Sequence, residues 1–470
     1  MGRKNKFIPL PVDDPTHPNT SPFRISERAY KRKPNTPSPL AHIQSPESSN
    51  LPSLPEFISN RLIDPRTCLE APDSSTLVKV IQIPKLDPTY FSSSGSNDSE
   101  TIPAMTFPET HPGLIFIPSA MSPETQRDII KKCCREWTGR PNVTNLDTHY
   151  VVEESGGVWA VYEREWKERE RGGDVDTVVE RRVELGGMEA YTDDEEDEEE
   201  GGGSSKTKKV KAEDVKACSR CCSENSTGTN LKTLIKSGCG KEDDEEPVVV
   251  DLDAFKVAAS KAVSLEKELA PPVPPNIDPP TTGTPLLQPL PVSQLIKKWR
   301  WSSLGWQYNW TKKKYHMDRP VQFPPELDEM TRAVIQSVEG LTGYTKEQYK
   351  SEAGIVNFYQ LPDALMGHQD RSEVNMDAPL VSFSLGHSCV FVIGTENRQD
   401  KDPLPISLIL RSGDIIVMSG ASRRVFHGVP RIISNSLPDH LTNYSGDEDW
   451  GVFKAFLSTA RININVRQIV

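Results

Sequence analysis

Two histidines and one aspartate give this chain its clearest pattern for chemistry. His368 and Asp370 stand two residues apart, and His427 follows 59 residues later at the end of a hydrophobic run. Residues two apart in a strand point to the same side, so this imidazole and carboxylate can reach one point. Two histidines and a carboxylate form the facial triad that suits non-haem Fe(II), leaving room for a chelating cosubstrate and dioxygen. A His-x-Asp pair often arises by chance, so the prediction needs further support.

Further support comes from an alternating segment at residues 461–467. Its polar face carries Arg461, Asn463, Asn465 and Arg467, and its other face is aliphatic. An ordinary half-exposed strand with its arginines in water would look the same. Inside a small barrel, two arginines need anionic partners because unpaired buried charge is costly, and a dicarboxylate would fit both. The pair Asn357 and Tyr359 repeats the two-residue spacing shortly before His368.

The elements that must position these side chains are short strands. Apolar runs bounded by turn residues fall at 354–359, 380–385, 389–393, 406–410, 414–418, 425–427 and 460–466. Several short strands without alternating helices favour a β-sandwich or barrel. We therefore predict a mainly β fold with flanking helices and a jelly-roll core, also called a double-stranded β-helix.

Composition divides the chain into four parts. Residues 1–110 are rich in Pro, Ser, Thr and Asn, and they predict a disordered segment because they offer little apolar surface to offset chain entropy. Residues 111–171 hold a strand-like run and two helical stretches, so we expect them to form the N-terminal part of the catalytic domain. Residues 172–289 predict a disordered, acidic, low-complexity insert, and residues 290–470 the core of the domain.

The charge of the chain is concentrated in the insert. The net charge is -12, and residues 151–290 alone carry 32 acidic and 18 basic side chains. The overall acidity therefore does not exclude a polyanionic substrate. No apolar run approaches the ~18 residues of a membrane helix, and the first residues lack a secretory pattern, so we expect an intracellular protein without a membrane partner.

Cysteine usage gives no strong signal. Eight cysteines in 470 residues are too sparse for a disulfide framework, and we interpret them as reduced thiols. Cys218, Cys221 and Cys222 have the short spacing of half a zinc site, but the acidic insert around them lacks a convincing second pair.

The motifs together resemble the AlkB family of Fe(II)- and 2-oxoglutarate-dependent dioxygenases. The residues that carry this resemblance are Asn357-x-Tyr359, His368-x-Asp370, His427 and Arg461-x-Asn463-x-x-x-Arg467. Longer strings are most similar to the eukaryotic homologue 1 group of that family: RWSSLGWQYNWTKKKY at 300–315, HQDRSE at 368–373 and ARININVRQIV at 460–470. The resemblance covers about 111–170 and 290–470.

The resemblance implies an iron site and a reaction. His368, Asp370 and His427 would bind Fe(II), with 2-oxoglutarate and O2 as cosubstrates. Members of the family hydroxylate an N-methyl group, which then leaves as formaldehyde, and they also form succinate and carbon dioxide. This chemistry serves DNA repair or RNA modification.

The resemblance also implies roles in binding the cosubstrate. Arg461 would pair with the distal carboxylate of 2-oxoglutarate, helped by Tyr359 and Asn463. Asn357 and Arg467 would lie near its metal-chelating end.

An aromatic and basic stretch before the metal motif predicts contact with nucleic acid. Trp301, Trp306, Tyr308 and Trp310 are interleaved with lysines 312–314, and they could stack on a base and hold phosphates. The resemblance places the matching region in a nucleotide-recognition lid. The alternative is that these aromatic residues pack in the core beside a lysine-rich turn.

Two charged residues directly follow the first pair of metal ligands. Arg371 and Glu373 are expected at the mouth of the site, where they could contact the target base. A surface ion pair is the alternative.

The sequence thus predicts a monomeric oxidative demethylase of N-methylated bases in nucleic acid, in the nucleus, cytoplasm or mitochondrion. One alternative keeps the iron chemistry but assigns it a protein side chain as substrate. Another is a non-catalytic nucleic-acid binder on the same barrel. The methylated base and the polymer, whether DNA, tRNA or mRNA, are left open.

Overall fold

A computed structural model of the protein describes residues 21–31, 54, 56–72, 75–91, 99–152, 156–180, 288–309, 313–444 and 446–470. The strands in these ranges are β1 (Leu62–Ile63), β2 (Lys79–Pro84), β3 (Thr101–Phe107), β4 (His111–Ile117), β5 (Val178–Val179), β6 (Leu290–Pro291), β7 (Trp301–Asn309), β8 (Lys314–Pro320), β9 (Ala353–Gln360), β10 (Leu365–His368), β11 (Leu380–Gly386), β12 (Cys389–Ile393), β13 (Ile406–Leu410), β14 (Ile415–Met418), β15 (His427–Ile432) and β16 (Ala460–Arg467). The α-helices are α1 (Pro22–Lys31), α2 (Glu56–Ser59), α3 (Pro65–Glu70), α4 (Pro123–Lys132), α5 (Gly157–Glu170), α6 (Val292–Leu295), α7 (Pro325–Ser337), α8 (Glu339–Thr342), α9 (Asp439–Thr442) and α10 (Trp450–Leu457).

Two sheets face each other across a shared apolar layer. The major sheet has the strand order β2-β3-β4-β14-β11-β16-β9-β7-β8, and the minor sheet has the order β1-β13-β12-β15-β10. Side chains from both sheets form one cluster, to which β11 contributes Leu380, β12 contributes Phe391 and β13 contributes Leu408. The sequence prediction of a mainly β protein with flanking helices is confirmed.

The centre of the major sheet aligns the polar face predicted for residues 461–467. Strand β16 lies between β9 and β11, with Arg461 opposite Tyr359 and Asn463 opposite both Asn357 and Ser384. The aliphatic residues of β16 point to the opposite side of the major sheet, where they belong to a separate apolar cluster. The alternation along β16 therefore separates a polar interior from an apolar packing surface.

Helices cover the outer face of the major sheet. Residues of α4, α5, α7 and α10 pack with Ile462 and Ile464 in one core cluster. Helix α4 begins as its sequence predicts, because the Ser122 side chain accepts a hydrogen bond from the backbone N–H of Thr125 at 3.1 Å, and Pro123 occupies the first turn.

The prediction that residues 1–110 are disordered is wrong for the described part of that range. Helix α1 covers the outer face of the minor sheet, where Phe23 and Tyr30 pack against Val390 and Val392. Strand β1 pairs in parallel with β13, and β2 and β3 extend the major sheet. These pieces are too short to form a core alone, and they are ordered by apolar surface that the later strands supply.

Strands β5 and β6 pair at the two ends of the acidic insert. Val178 lies opposite Pro291, and Val179 opposite Leu290. Residues 181–287, including the cysteines at 218, 221 and 222, lie outside the described residues, and so do the predicted disorder of the insert and its possible zinc site. In the described ranges, no helix is both long and apolar enough to cross a membrane.

Candidate metal centre

Three side chains converge at the edge of the minor sheet. His368 ends β10 and His427 begins β15, and these two residues are cross-strand neighbours with ring centroids 4.5 Å apart. Asp370 follows β10; its Oδ1 lies 3.9 Å from Nε2 of His368, and its Oδ2 lies 3.9 Å from Nε2 of His427. The potential ligand atoms of the three side chains all lie within 4.8 Å of one another. One divalent metal ion could contact all three.

Hydrogen bonds to the backbone fix which nitrogen of each imidazole faces the aspartate. Nδ1 of His368 lies 2.9 Å from the carbonyl oxygen of Met366, and Nδ1 of His427 lies 3.2 Å from that of Val425. A carbonyl oxygen can only accept, so each Nδ1 carries the proton and donates it. This tautomer leaves Nε2 of each ring facing Asp370, which is the arrangement a metal ligand needs.

The electrostatics of the site keep Asp370 and His427 in the protonation state that a metal ligand needs. Burial alone would raise the pKa of Asp370, but the charge of Arg467, joined in acid by His427 and His368 once they are protonated, holds that pKa well below its usual range. Burial, together with the neighbouring His368, lowers the pKa of His427 to about 4. At neutral pH the site therefore presents a carboxylate and a neutral imidazole, both able to donate electron pairs.

Arg461 is the strongest sign that the site can bind an anion. Its side chain is only 1% exposed, and it donates to the carbonyl oxygen of His387 at 2.8 Å and to Oγ of Ser384 at 2.9 Å. Its Nε has no hydrogen-bond partner, and within the described residues no carboxylate forms an ion pair with it. A buried guanidinium without a counter-ion is costly, so this residue fits the binding of a carboxylate ligand.

The polar neighbours of Arg461 share its face of the major sheet. Asn463 donates to Oγ of Ser382 at 2.8 Å and to the carbonyl oxygen of Phe383 at 3.0 Å. Tyr359 lies opposite Arg461 and is buried, and this burial raises the pKa of its phenol. The phenol therefore stays neutral and can serve as a hydrogen-bond donor. Asn357 is half-buried and lies opposite Asn463.

Arg467 joins β16 to the metal site. Its Nη1 lies 3.4 Å from Oδ1 of Asp370 and 3.0 Å from Oε1 of Glu373. Arg467 is therefore the point at which the polar face of β16 contacts the candidate metal ligand Asp370.

The aromatic stretch before the metal motif is mainly core. Trp301 and Trp306 are each 6% exposed, so the prediction that Trp301 offers an open stacking surface is wrong. Strand β7 lies between β9 and β8, which covers both of its edges. Tyr308 is half-buried and shares a hydrogen bond of 2.8 Å with Ser372. Trp310 and Lys312 lie outside the described residues, whereas Lys313 and Lys314 are exposed.

The two residues predicted at the mouth of the site have different environments. Arg371 is exposed, as expected. Glu373 is buried and paired with Arg423 and Arg467, so its predicted contact with a target base, and the surface ion pair with Arg371, are both wrong. Sequence reasoning missed Arg423, which is 1% exposed, because an arginine in a turn before a strand is ordinarily solvated.

Comparison with known proteins places the chain in a class that matches this geometry. A family model described as the 2OG-Fe(II) oxygenase superfamily matches residues 264–467. The chain is 33% identical over 196 residues to the N6-methyladenosine RNA demethylase ALKBH of Cryphonectria parasitica, across 39% of this chain and 81% of that protein. The chain belongs to the 2OG-Fe(II) oxygenase superfamily.

Within that superfamily the chain is similar to ALKBH1-type proteins, which confirms the resemblance drawn from the motifs. It is 41% identical over 184 residues to the tRNA demethylase abh1 of Schizosaccharomyces pombe, across 39% of this chain and 57% of that protein. It is 37% identical over 193 residues to the nucleic acid dioxygenase ALKBH1 of Homo sapiens, across 37% of this chain and 47% of that protein. The chain thus spans about half the length of these two relatives.

Proposed function

We propose that this protein is an Fe(II)- and 2-oxoglutarate-dependent dioxygenase that demethylates N-methylated bases in nucleic acid. The observation that carries the proposal is the convergence of His368, Asp370 and His427 within 4.8 Å of one another. Two imidazoles and one carboxylate are the ligand set of non-haem Fe(II) oxygenases. The facing sheets support the finer assignment of the core as a jelly roll.

The side chains of this chain divide the work between metal and cosubstrate. His368, Asp370 and His427 would hold Fe(II), and the proton on Nδ1 of each histidine keeps its Nε2 directed at the ion. Arg461 would bind the distal carboxylate of 2-oxoglutarate, because its Nε lacks a partner in the interior. The bound iron and cosubstrate would supply the oxidation of the methyl group with O2.

The remaining polar groups would orient the cosubstrate. Tyr359 would donate a neutral phenol proton beside Arg461, and Asn463 is held in place by its contacts to β11. Arg467 would balance the charge of Asp370 and lie near the metal-chelating end, with Asn357 on the same face. A fixed set of donors costs little reorganisation when the ligand binds.

We propose nucleic acid as the substrate for two reasons. The similar proteins carry names that specify tRNA, RNA or nucleic acid as their substrate. The side chains of Lys313, Lys314 and Arg371 are exposed cations. Ser372, the residue after Arg371, donates to the carbonyl oxygen of Lys313 at 3.0 Å and shares a hydrogen bond with Tyr308, so these cations lie near the segment that follows Asp370. Phosphate contacts of this type would hold a strand while one base is extruded into the site.

The decisive experiment is a screen of methylated oligonucleotides, single- and double-stranded, with Fe(II) and 2-oxoglutarate. Mass spectrometry of the oligonucleotide reports a methyl loss of the expected mass, and succinate is quantified in parallel. His368→Ala and Arg461→Ala should abolish both products. His440→Ala is the matched control, because His440 is a half-buried histidine whose contacts are with α4 and not with the metal site.

Turnover that persists in both His368→Ala and Arg461→Ala would refute the proposal. A protein substrate becomes the better assignment if the Lys313→Gln/Lys314→Gln double variant binds oligonucleotides with unchanged affinity and unchanged salt dependence.

A further inference from the structure

Glu373 is the hub of a buried polar network beside the metal site. Its side chain is 0% exposed, and its two carboxylate oxygens have different partners. Oε2 accepts from Nη2 of Arg423 at 3.1 Å. Oε1 accepts from Nη1 of Arg467 at 3.0 Å and from the hydroxyl of Tyr315 at 2.8 Å. This carboxylate thus joins β8, β16 and the turn before β15.

Arg423 connects that hub to the backbone around the aspartate ligand. Its Nη1 donates to the carbonyl oxygen of Asp370 at 3.2 Å, and its Nε donates to the carbonyl oxygen of Ala378 at 3.3 Å. The residue belongs to the 3-10 turn Gly420–Arg424, directly before the strand that begins with His427. Its planar guanidinium has donors in the fixed geometry that three separate acceptors require.

Asp370 needs such an anchor more than the two histidines do. His368 and His427 are paired residues of the minor sheet, so the ladder sets their positions. Strand β10 ends at His368, and Asp370 lies in a segment without regular structure. Its backbone carbonyl is held by Arg423 and its carboxylate by Arg467, and both arginines converge on Glu373.

We propose that Glu373 and Arg423 are positioning residues for the aspartate ligand of the metal. The inference rests on the proposed function only in taking Asp370 as a metal ligand. Glu373 also balances charge, because two guanidinium groups face two carboxylates in a buried volume. Removing that carboxylate would leave one arginine charge uncompensated beside the metal.

A purely structural role makes a different prediction. Removing one partner of a buried ion pair leaves the other charge uncompensated, so a purely structural role predicts lower stability with unchanged metal affinity of the folded protein. Groups that orient metal ligands instead typically change metal affinity by about 10- to 100-fold when removed. Metal affinity measured on folded protein therefore separates the two roles.

The test uses two conservative variants and one matched control in the full chain. Glu373→Gln keeps the shape of the side chain but removes its charge, and Arg423→Lys keeps the charge but loses the three-way geometry. Arg424→Gln is the control, because this neighbouring arginine is 48% exposed and pairs with Asp377 at the surface. Co(II) is titrated anaerobically into metal-free protein and followed by its visible absorption, with thermal unfolding measured alongside.

We expect Co(II) to bind about 10- to 100-fold more weakly to Glu373→Gln and Arg423→Lys, with a changed absorption band, while Arg424→Gln matches the wild type. The inference is overturned if both variants, still folded, bind Co(II) within about twofold of the wild type. If one variant does not fold, the other decides the result.

The outcome is independent of whether the demethylase assignment is correct. Weakened Co(II) binding in a protein whose wild type acts on no methylated oligonucleotide would keep the positioning role and remove the proposed function. Wild-type turnover combined with unchanged Co(II) affinity in both variants would do the reverse.

Discussion

The carboxylate of Glu27 in α1 accepts a hydrogen bond of 2.5 Å from the backbone N–H of Gly367, the residue before His368. Glu27 is only 1% exposed, and its other oxygen pairs with Arg24 at 3.3 Å. The N-terminal helix therefore supplies a partner to the strand that carries the first metal ligand.

Replacing Glu27 should destabilise the protein more when the new side chain has no hydrogen-bond acceptor for Gly367. Glu27→Ala leaves the buried N–H of Gly367 without its partner, which costs about 1–3 kcal/mol. Glu27→Gln keeps an acceptor oxygen and should lose less. The free energy of unfolding from denaturant titration measures both, and equal losses in the two variants would contradict this account.

Phe23 should show non-additive behaviour with Gly394. A Cβ at Gly394 would lie 2.7 Å from Cδ2 of Phe23, so Gly394→Ala should cost about 1–3 kcal/mol through overpacking. Phe23→Ala should cost about 3–5 kcal/mol because the ring is 2% exposed. In the double variant the added methyl group finds space, so the total loss should be smaller than the sum. A strictly additive double variant in urea unfolding would show that the ring does not fill this space.

His111 should make stability depend on pH. Burial lowers the pKa of its imidazole to about 4, against 6.5 for the unfolded chain, and its Nε2–H donates to the carbonyl oxygen of Gly394 at 3.0 Å. Between pH 4 and pH 6.5 the unfolded state therefore binds more protons than the folded state does. The contribution of His111 is therefore complete above pH 6.5 and decreases as the pH falls toward 4, by about 3 kcal/mol in total.

The measurement compares wild type with His111→Gln, which retains a donor but does not titrate. Burial raises the pKa of Asp414 to about 6, which gives the opposite pH dependence, but this contribution cancels in the difference between the two proteins. A difference in unfolding free energy that stays constant from pH 7 to 4.5 would refute the assignment.

Arg461 should matter more for ligand binding than for folding. Arg461→Met removes a buried charge whose desolvation is not offset by a carboxylate, so the ligand-free protein should not show the loss of about 3–5 kcal/mol that follows from breaking a buried ion pair. With metal present, 2-oxoglutarate at 100 times its Kd should stabilise the wild type by about 2.7 kcal/mol, and it should not stabilise the variant. Thermal unfolding with and without 2-oxoglutarate tests both statements, and equal stabilisation of both proteins would contradict them.

Local pattern predicted the strands and, together with the family resemblance, the convergence of the metal triad. The runs Cys389–Ile393 and Ile406–Leu410 have the predicted bounds, because short apolar segments between turn residues have few alternatives. The strand that carries His427 was placed too early: it begins at that residue instead of ending there. The histidine still reaches the site, because it lies opposite His368 on the neighbouring strand.

Long-range packing accounts for what the sequence did not predict. Cys389–Ile393 is apolar without alternation, a sign that both faces of the strand are covered, but nothing local identifies α1 as the covering helix. The adjacent arginines 423 and 424 look alike in sequence, yet one is 1% exposed and the other is at the surface. Only contacts to residues 45 or more positions away distinguish them.

The pairing of Val178–Val179 with Leu290–Pro291 brings the chain at the start and finish of the long insert to adjacent positions. A short linker of glycines and serines could connect these two strands in place of the roughly 110 residues between them, and the two sheets should then keep their structure. This junction is therefore a natural place to splice in a reporter, or to open new termini by circular permutation, without touching either sheet.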